Sequence, residues 1–279
     1  MPLRSALASR LAALTLLVTL AGCVSTPTFA PAAGVRASAV ARLRSARPSP
    51  LRWPASHRGE RDDGQAGNGR AAILDAARGY VPLIEVDVRT GSDGVLFLFH
   101  DRVVDDGPCA GREATSLSAA EVAAQGLLTL EAALRLVEGT GAALQLDLKA
   151  ESPAQLEAVV HLARGVGVAE RIVVQCQGWP SFAHLRARFP EVAALRRCRS
   201  LEQVREALPL RPELVQIDED WATPALIDEI HAAGSRVLVK ALGSLDDEDA
   251  WRALFARGVD VLLTDHAVGM IRELELPVD

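Results

Sequence analysis

From about Arg52 to the C-terminus, short apolar runs alternate with amphipathic stretches, and this repeat constrains the fold more than any other feature. The runs fall at 53–57, 83–88, 144–148, 171–176, 192–196, 214–218, 236–241 and 260–264. Helix-like stretches separate most of them, among them 152–165, 223–233 and 246–257. Each run is apolar on both faces or nearly so, the pattern of parallel strands covered by helices. Repeated βα units build a doubly wound sheet or a (βα)8 barrel. Eight runs favour the α/β barrel, for which roughly 250 residues is the usual size. The chain has 279 residues, 49% of them hydrophobic, ample for one such core.

One segment breaks the repeat. Leu96–His100 (LFLFH) is a ninth strand candidate, too close to the 83–88 run for a helical crossover. Gly91-Ser92-Asp93-Gly94 between them is turn-forming. This reads as a hairpin extending from the second barrel strand. A turn centred between Ser92 and Asp93 would set Glu85 opposite His100. Opposed residues share a face, as do residues two apart, so Glu85, Asp87 and His100 would cluster.

The first residues read as a targeting segment. Arg4 and Arg10 precede the apolar run Leu11–Leu20, and Ala21-Gly22-Cys23 follows. Leu20-Ala21-Gly22-Cys23 resembles the bacterial lipobox, in which the cysteine thiol is acylated. The expected organisation is a lipoprotein signal peptide over 1–22, a Pro/Ala/Ser/Thr-rich tether over 23–50 and the barrel over 51–279. Lipid through Cys23 would be the only membrane contact, and Val24 after it fits the periplasmic face of an outer membrane. Cleavage would remove two of the 30 basic residues and none of the 36 acidic ones, taking the net charge from −6 to −8. Such a surface argues against nucleic-acid binding. Cys109, Cys176 and Cys198 then remain, with no CxxC or His/Cys cluster for zinc. Cys176 and Cys198 end adjacent strand candidates, which leaves a disulfide open to them.

Glu85 and Asp87 interrupt an apolar strand, Leu83-Ile84-Glu85-Val86-Asp87-Val88. Two carboxylates on one face repel each other and lose hydration when buried. A hard cation, Ca2+ or Mg2+, relieves that cost through oxygen ligands. Asp147 and Lys149 repeat the pattern in the next barrel strand. His57 and His100 each end an apolar run, where imidazoles can serve as acid and base. His161, His184 and His231 lie in helix-like stretches and His266 begins a helix; these read as structural. The only lysines are Lys149 and Lys240, both at or near strand C-termini, the end at which barrel active sites lie. Arginine cannot always replace lysine where a compact charge is needed.

In order along residues 54–275, these motifs resemble the glycerophosphodiester phosphodiesterase family. The resemblance runs through His57-Arg58-Gly59, Ile84-Glu85-Val86-Asp87-Val88, Thr90, Asp93-Gly94 and His100-Asp101. It continues through Thr129-Leu130-Glu131, Leu146-Asp147-Leu148-Lys149, Gly258-Val259-Asp260 and Thr264-Asp265. It implies a TIM barrel with a small insertion after the second strand, here about 89–128. It implies His57 and His100 as general acid and base, and Glu85, Asp87 and Asp147 as holders of one divalent cation. Arg58 and Lys149 would neutralise the phosphate of a small-molecule phosphodiester. Three motifs depart from the family. Ala66-Gly67-Asn68-Gly69 keeps only the Asn of P-E-N-T, Asp106-Gly107-Pro108 replaces R-T-T, and Val239-Lys240-Ala241-Leu242-Gly243 replaces W-T-V-N. The last change offers Lys240 as a substrate contact.

Overall fold

The computed structural model describes residues 38–45, 51–60 and 67–277. The expected signal peptide over 1–22, Cys23 and most of the expected tether lie outside the described residues. Eight parallel strands form a closed ring: β1 (Trp53–Ser56), β2 (Leu83–Thr90), β4 (Ala143–Leu148), β5 (Ile172–Cys176), β6 (Ala193–Arg197), β7 (Leu214–Ile217), β8 (Arg236–Lys240) and β9 (Val261–Thr264). Each pairs in parallel with its neighbours, and β1 closes the ring by pairing with both β2 and β9. The antiparallel strand β3 (Leu96–Leu98) lies outside the ring against β2. This is the (βα)8 barrel that the repeat predicts.

Helices follow the strands because the loops end in good caps. In α5 (Pro153–Val166) the Ser152 side chain accepts from the Gln155 N–H, and α8 (Pro224–Ala232) is capped alike by Thr223 on Leu226. Both have proline first, where its missing N–H costs nothing. The covering layer is completed by α2 (Arg70–Arg78), α4 (Leu130–Val137), α6 (Trp179–Arg188), α7 (Leu201–Ala207), α9 (Glu248–Ala256) and α10 (Ala267–Glu273).

Strand alternation divides the core. Even-numbered Ile84, Val86 and Val88 of β2 pack outward with Leu134, Leu156 and the helix layer. Odd-numbered Leu83 packs inside the ring with Ala55, Ala143, Val173, Leu195, Leu238 and Leu263. Ala39, Val40 and Leu43 of α1 (Ala39–Arg44) join that inner cluster, and Arg42 lies 4.4 Å from the Trp53 ring. The expected tether over 23–50 is therefore corrected over 39–44. This stretch is a helix because Ser38 caps it on Ala41 and its apolar residues share one face.

The segment between β2 and α4 carries β3, α3 (Ala119–Ala124) and a small core of Phe97, Val104, Cys109, Ala114, Leu117 and Val122. The hairpin register differs from the expected one. Val88 faces Leu98 and Thr90 faces Leu96, one residue away from the predicted pairing. The loop holds three residues, not two, because Gly94 adopts a left-handed φ of 86° and the Gly91 N–H closes on the Val95 carbonyl at 2.8 Å. The Phe99 N–H thus donates to the Asp87 carbonyl, at 3.1 Å, and His100 does not fall opposite Glu85.

Cys109, Cys176 and Cys198 are free and buried, so the disulfide left open to Cys176 and Cys198 is absent. Cys176 pairs in register with Arg196, two residues short of Cys198. Strand geometry puts such positions about 8 Å apart, beyond the roughly 7 Å a disulfide spans. Among the described residues no helix is long and apolar enough to cross a membrane.

Candidate active site and metal centre

The register of β2 and β4 sets Glu85 beside Gln145 and Asp87 beside Asp147. All four continue the inward alternation begun by Leu83 and Ala143. Glu85, Asp87 and Asp147 are buried, and one oxygen from each lies within 4.8 Å of the others. Three converging carboxylates with little water are costly unless matched by positive charge.

Part of the match comes from protein cations. The Lys149 Nζ lies 2.6 Å from Asp87 Oδ1 and 2.6 Å from Asp147 Oδ2. The Arg58 Nε is 3.2 Å from Asp87 Oδ2. Asp87 is held further by Asn68, whose Nδ2 donates to Oδ2 at 2.8 Å while its Oδ1 accepts from the Asp87 N–H at 2.9 Å. Glu85 receives only the Arg58 backbone N–H, at 3.0 Å, among its described hydrogen bonds.

The two carboxylates of one strand therefore titrate in opposite directions. Burial pushes Glu85 up to about 8, helped by the charges of Asp87 and Asp147. Burial also acts on Asp87, but Lys149, Asn68 and Arg58 outweigh it and hold its carboxyl below the ordinary value. Burial alone would lower Lys149; Asp147 and Asp87 raise it instead. The site is thus short of positive charge at Glu85. Three converging oxygen donors with that deficit, from Glu85, Asp87 and Asp147, could hold a hard divalent cation.

The loop after β1 needs unusual backbone to deliver these contacts. Arg58 and Asn68 have φ of 61° and 64°, and the Asn68 N–H donates to the Arg58 carbonyl at 2.8 Å. Gly59 has φ of 82°, and a Cβ there would lie 2.7 Å from the Ala72 backbone. The glycine of His57-Arg58-Gly59 is therefore required by α2 passing over it.

His57 and Asp265 continue the inward faces of β1 and β9. The His57 Nδ1 lies 2.8 Å from Asp265 Oδ1, which orients the ring. Asp265 is set in turn by Asp246, whose Oδ2 accepts from the Asp265 N–H at 2.8 Å.

His100 lies just past β3 and is half-exposed, its Nδ1 2.7 Å from Asp101 Oδ1. Arg89 fixes the turn there by donating to the Phe99 and His100 carbonyls at 3.1 and 2.6 Å. The described contacts bring together Arg58, Glu85, Asp87, Asp147 and Lys149, and set His57 next to them in the chain. They include none between His100 and the three carboxylates. Lys240 ends β8, exposed, and takes part in none of the described ion pairs.

Sequence reasoning passed over Asn68 as a site residue, along with Arg89, Gln177 and Asp265. A polar residue at the last inward position of a strand was the available signal for the last two. Asp260, read as part of a closing motif, is wholly buried and structural. It binds His231 at 2.6 Å, Arg236 at 3.2 Å and the Val237 N–H at 2.9 Å.

No family model matches this chain, and no curated protein matches it. Solved structures do. A glycerophosphoryl diester phosphodiesterase from Parabacteroides distasonis superposes with a TM-score of 0.72 at 20% identity, covering 88% of this chain and 95% of that one. A glycerophosphodiester phosphodiesterase from Agrobacterium tumefaciens gives 0.64 at 22%, covering 79% and 99%. A phosphodiesterase from Oleispira antarctica, in complex with the product sn-glycerol-3-phosphate, gives 0.66 at 20%, covering 80% and 96%. At these identities the likeness is one of fold.

Proposed function

We propose that this chain is a divalent-cation-dependent phosphodiesterase that cleaves glycerophosphodiesters to glycerol 3-phosphate and an alcohol. The observation that carries the reading is the buried convergence of Glu85, Asp87 and Asp147, with Arg58 and Lys149 against it. The fold likeness to phosphodiesterases, one holding sn-glycerol-3-phosphate, supports it. A cation held by the three carboxylates, Ca2+ or Mg2+, would polarise a phosphoryl oxygen and stabilise charge gathering on phosphorus. Arg58 and Lys149 would pair with the remaining phosphoryl oxygens.

In this reading His57 and His100 share the proton transfers. Asp265 takes the Nδ1 side of His57, so Nε2 carries the moving proton; Asp101 does the same for His100. One imidazole removes the proton of the attacking hydroxyl or water as the new O–P bond forms. The other protonates the leaving alkoxide as the old P–O bond breaks. The departures at 106–108 and 239–243 leave the alcohol open, a lysophospholipid headgroup included, with Lys240 as a contact to it. The lipobox-like residues ending at Cys23 support export and lipid anchoring at the periplasmic face of an outer membrane. A Cys23→Ala protein that still fractionates with membranes would count against the anchor.

The test is to incubate purified protein with glycerophosphocholine and a panel of diesters in Ca2+, Mg2+ or EDTA. Release of glycerol 3-phosphate that EDTA stops is the expected result. EDTA-insensitive turnover would overturn the cation assignment. No turnover on any diester would favour a second reading, a binding protein of the same fold. One observation favours that reading: Lys149 bridges Asp87 and Asp147 and balances part of their charge without a cation.

A further inference from the structure

Asp147 has both oxygens held, and the second hold is not part of any motif. Lys149 takes Oδ2. The Gln177 Nε2 donates to Oδ1 at 3.3 Å. Gln177 follows β5, and Val173 packs inside the ring, so Gln175 and Gln177 continue the inward face.

The backbone of Gln177 is fixed from two sides. Its N–H donates to Glu151 Oε1 at 2.8 Å, and the Gly178 N–H donates to Glu151 Oε2 at 2.9 Å. Its carbonyl accepts from the buried Arg196 Nη1 at 2.5 Å, and the same nitrogen reaches the Cys176 carbonyl at 3.2 Å. Little of the side chain's placement is left to the loop itself.

The far side of the amide is occupied as well. The Arg199 Nη2 donates to Gln177 Oε1 at 3.2 Å. Arg199 follows β6, and its backbone N–H donates to Gln203 Oε1 at 2.8 Å. An amide can present either its oxygen or its NH2 to a neighbour. Flipped, Gln177 would set its oxygen against a carboxylate oxygen. A guanidinium on Oε1 forbids the flip, because guanidinium has no acceptor to offer the NH2.

We propose that Gln177 is a positioning residue for the cation-holding carboxylate Asp147, and that Arg199 sets which way its amide points. The inference rests on the cation reading above. A hydrogen bond to an ionised ligand oxygen is charge-assisted and fixes its direction. Loss of such a supporting contact lowers metal affinity by about 10- to 100-fold. Arg199 acts against the cation as a charge, but it is exposed and screened, so orientation outweighs repulsion.

The test is calorimetric titration of the purified chain with Mg2+ and with Ca2+ alone, no substrate present. Gln177→Ala should weaken binding about tenfold or more. Arg199→Ala should weaken it a fewfold in the parent and not at all in the Gln177→Ala background. That coupling is the signature, because independent structural damage would add. Gln177→Leu keeps the stem and should behave as Gln177→Ala, which covers the case in which alanine unfolds the loop. Parent-like affinity in both Gln177 variants, or additive losses, would overturn the proposal. A parent that binds neither ion would instead remove the cation reading beneath it.

Discussion

At the end where the strands begin, the ring is filled by Trp53, Leu83, Ala143, Val173, Ala193, Leu214 and Val261, with α1 beneath them. At the end where they finish, the same alternation reaches His57, Asp87, Asp147, Gln177, Arg197, Asp218, Lys240 and Asp265. Every one of the eight is polar. Arg236 is the exception at the first end, and it is paired with Asp260. Backbone and spacing are shared along each strand, so only side-chain class separates the two ends. The apolar end supplies burial, worth about 25 cal/mol per Å2. The polar end gathers groups that burial penalises, which a fold keeps where chemistry uses them.

The sharpest way to break this comparison is at the polar end. His57→Ala and His100→Ala should each lower kcat by about 10^2- to 10^4-fold, the usual weight of a proton-transfer group, with melting temperature nearly unchanged. Steady-state kinetics on the best diester, paired with thermal melts, checks both halves. Near-parental kcat in either variant would refute its proton-transfer role.

The apolar end should answer in the opposite way. Leu43→Ala removes a buried side chain between α1 and the ring and should cost about 2–5 kcal/mol. Activity per folded molecule should stay within about twofold. Urea unfolding and kinetics on the folded fraction measure the two. A loss of kcat without a loss of stability would mean that α1 reaches the chemistry.

The two ends were not equally legible in the sequence. Strand positions and helix starts follow from apolar spacing and capping residues, and these are local. Glu85, Asp87 and Asp147 stood out because charge inside an apolar strand is conspicuous. Asn68 did not, because its partner is nineteen positions away and the contact depends on left-handed backbone at Arg58 and Asn68. The hairpin register turned on one residue: Gly94 permits a three-residue loop, which shifts every pairing after it. Helix α1 carried a signal in Ser38 and the spacing of Ala39, Val40 and Leu43, but surrounding Pro, Ser and Thr masked it. Gln145, Gln175 and Gln216 are buried inside the ring between the two ends, a polar layer that apolar counting passes over.

A subtler test sits within the polar end, between Glu85 and Asp87. Between about pH 4.5 and 8 the folded chain keeps a proton on Glu85 that the unfolded chain has released. The cation-free fold should therefore lose stability as pH rises through that window, since the native state binds the extra proton. Asp87 is depressed, so its contribution is present at neutral pH and is lost only in acid. A cation must displace the Glu85 proton to use that oxygen. Binding of Mg2+ or Ca2+ at pH 7 should release close to one proton per ion, falling toward none above pH 9. Affinity should rise about tenfold per pH unit below 8 and then level. Calorimetry in buffers of different ionisation enthalpy counts the proton. Proton-free binding at pH 7 would mean that Glu85 is already ionised in the folded chain, and the contrast between the two carboxylates of β2 would fall with it.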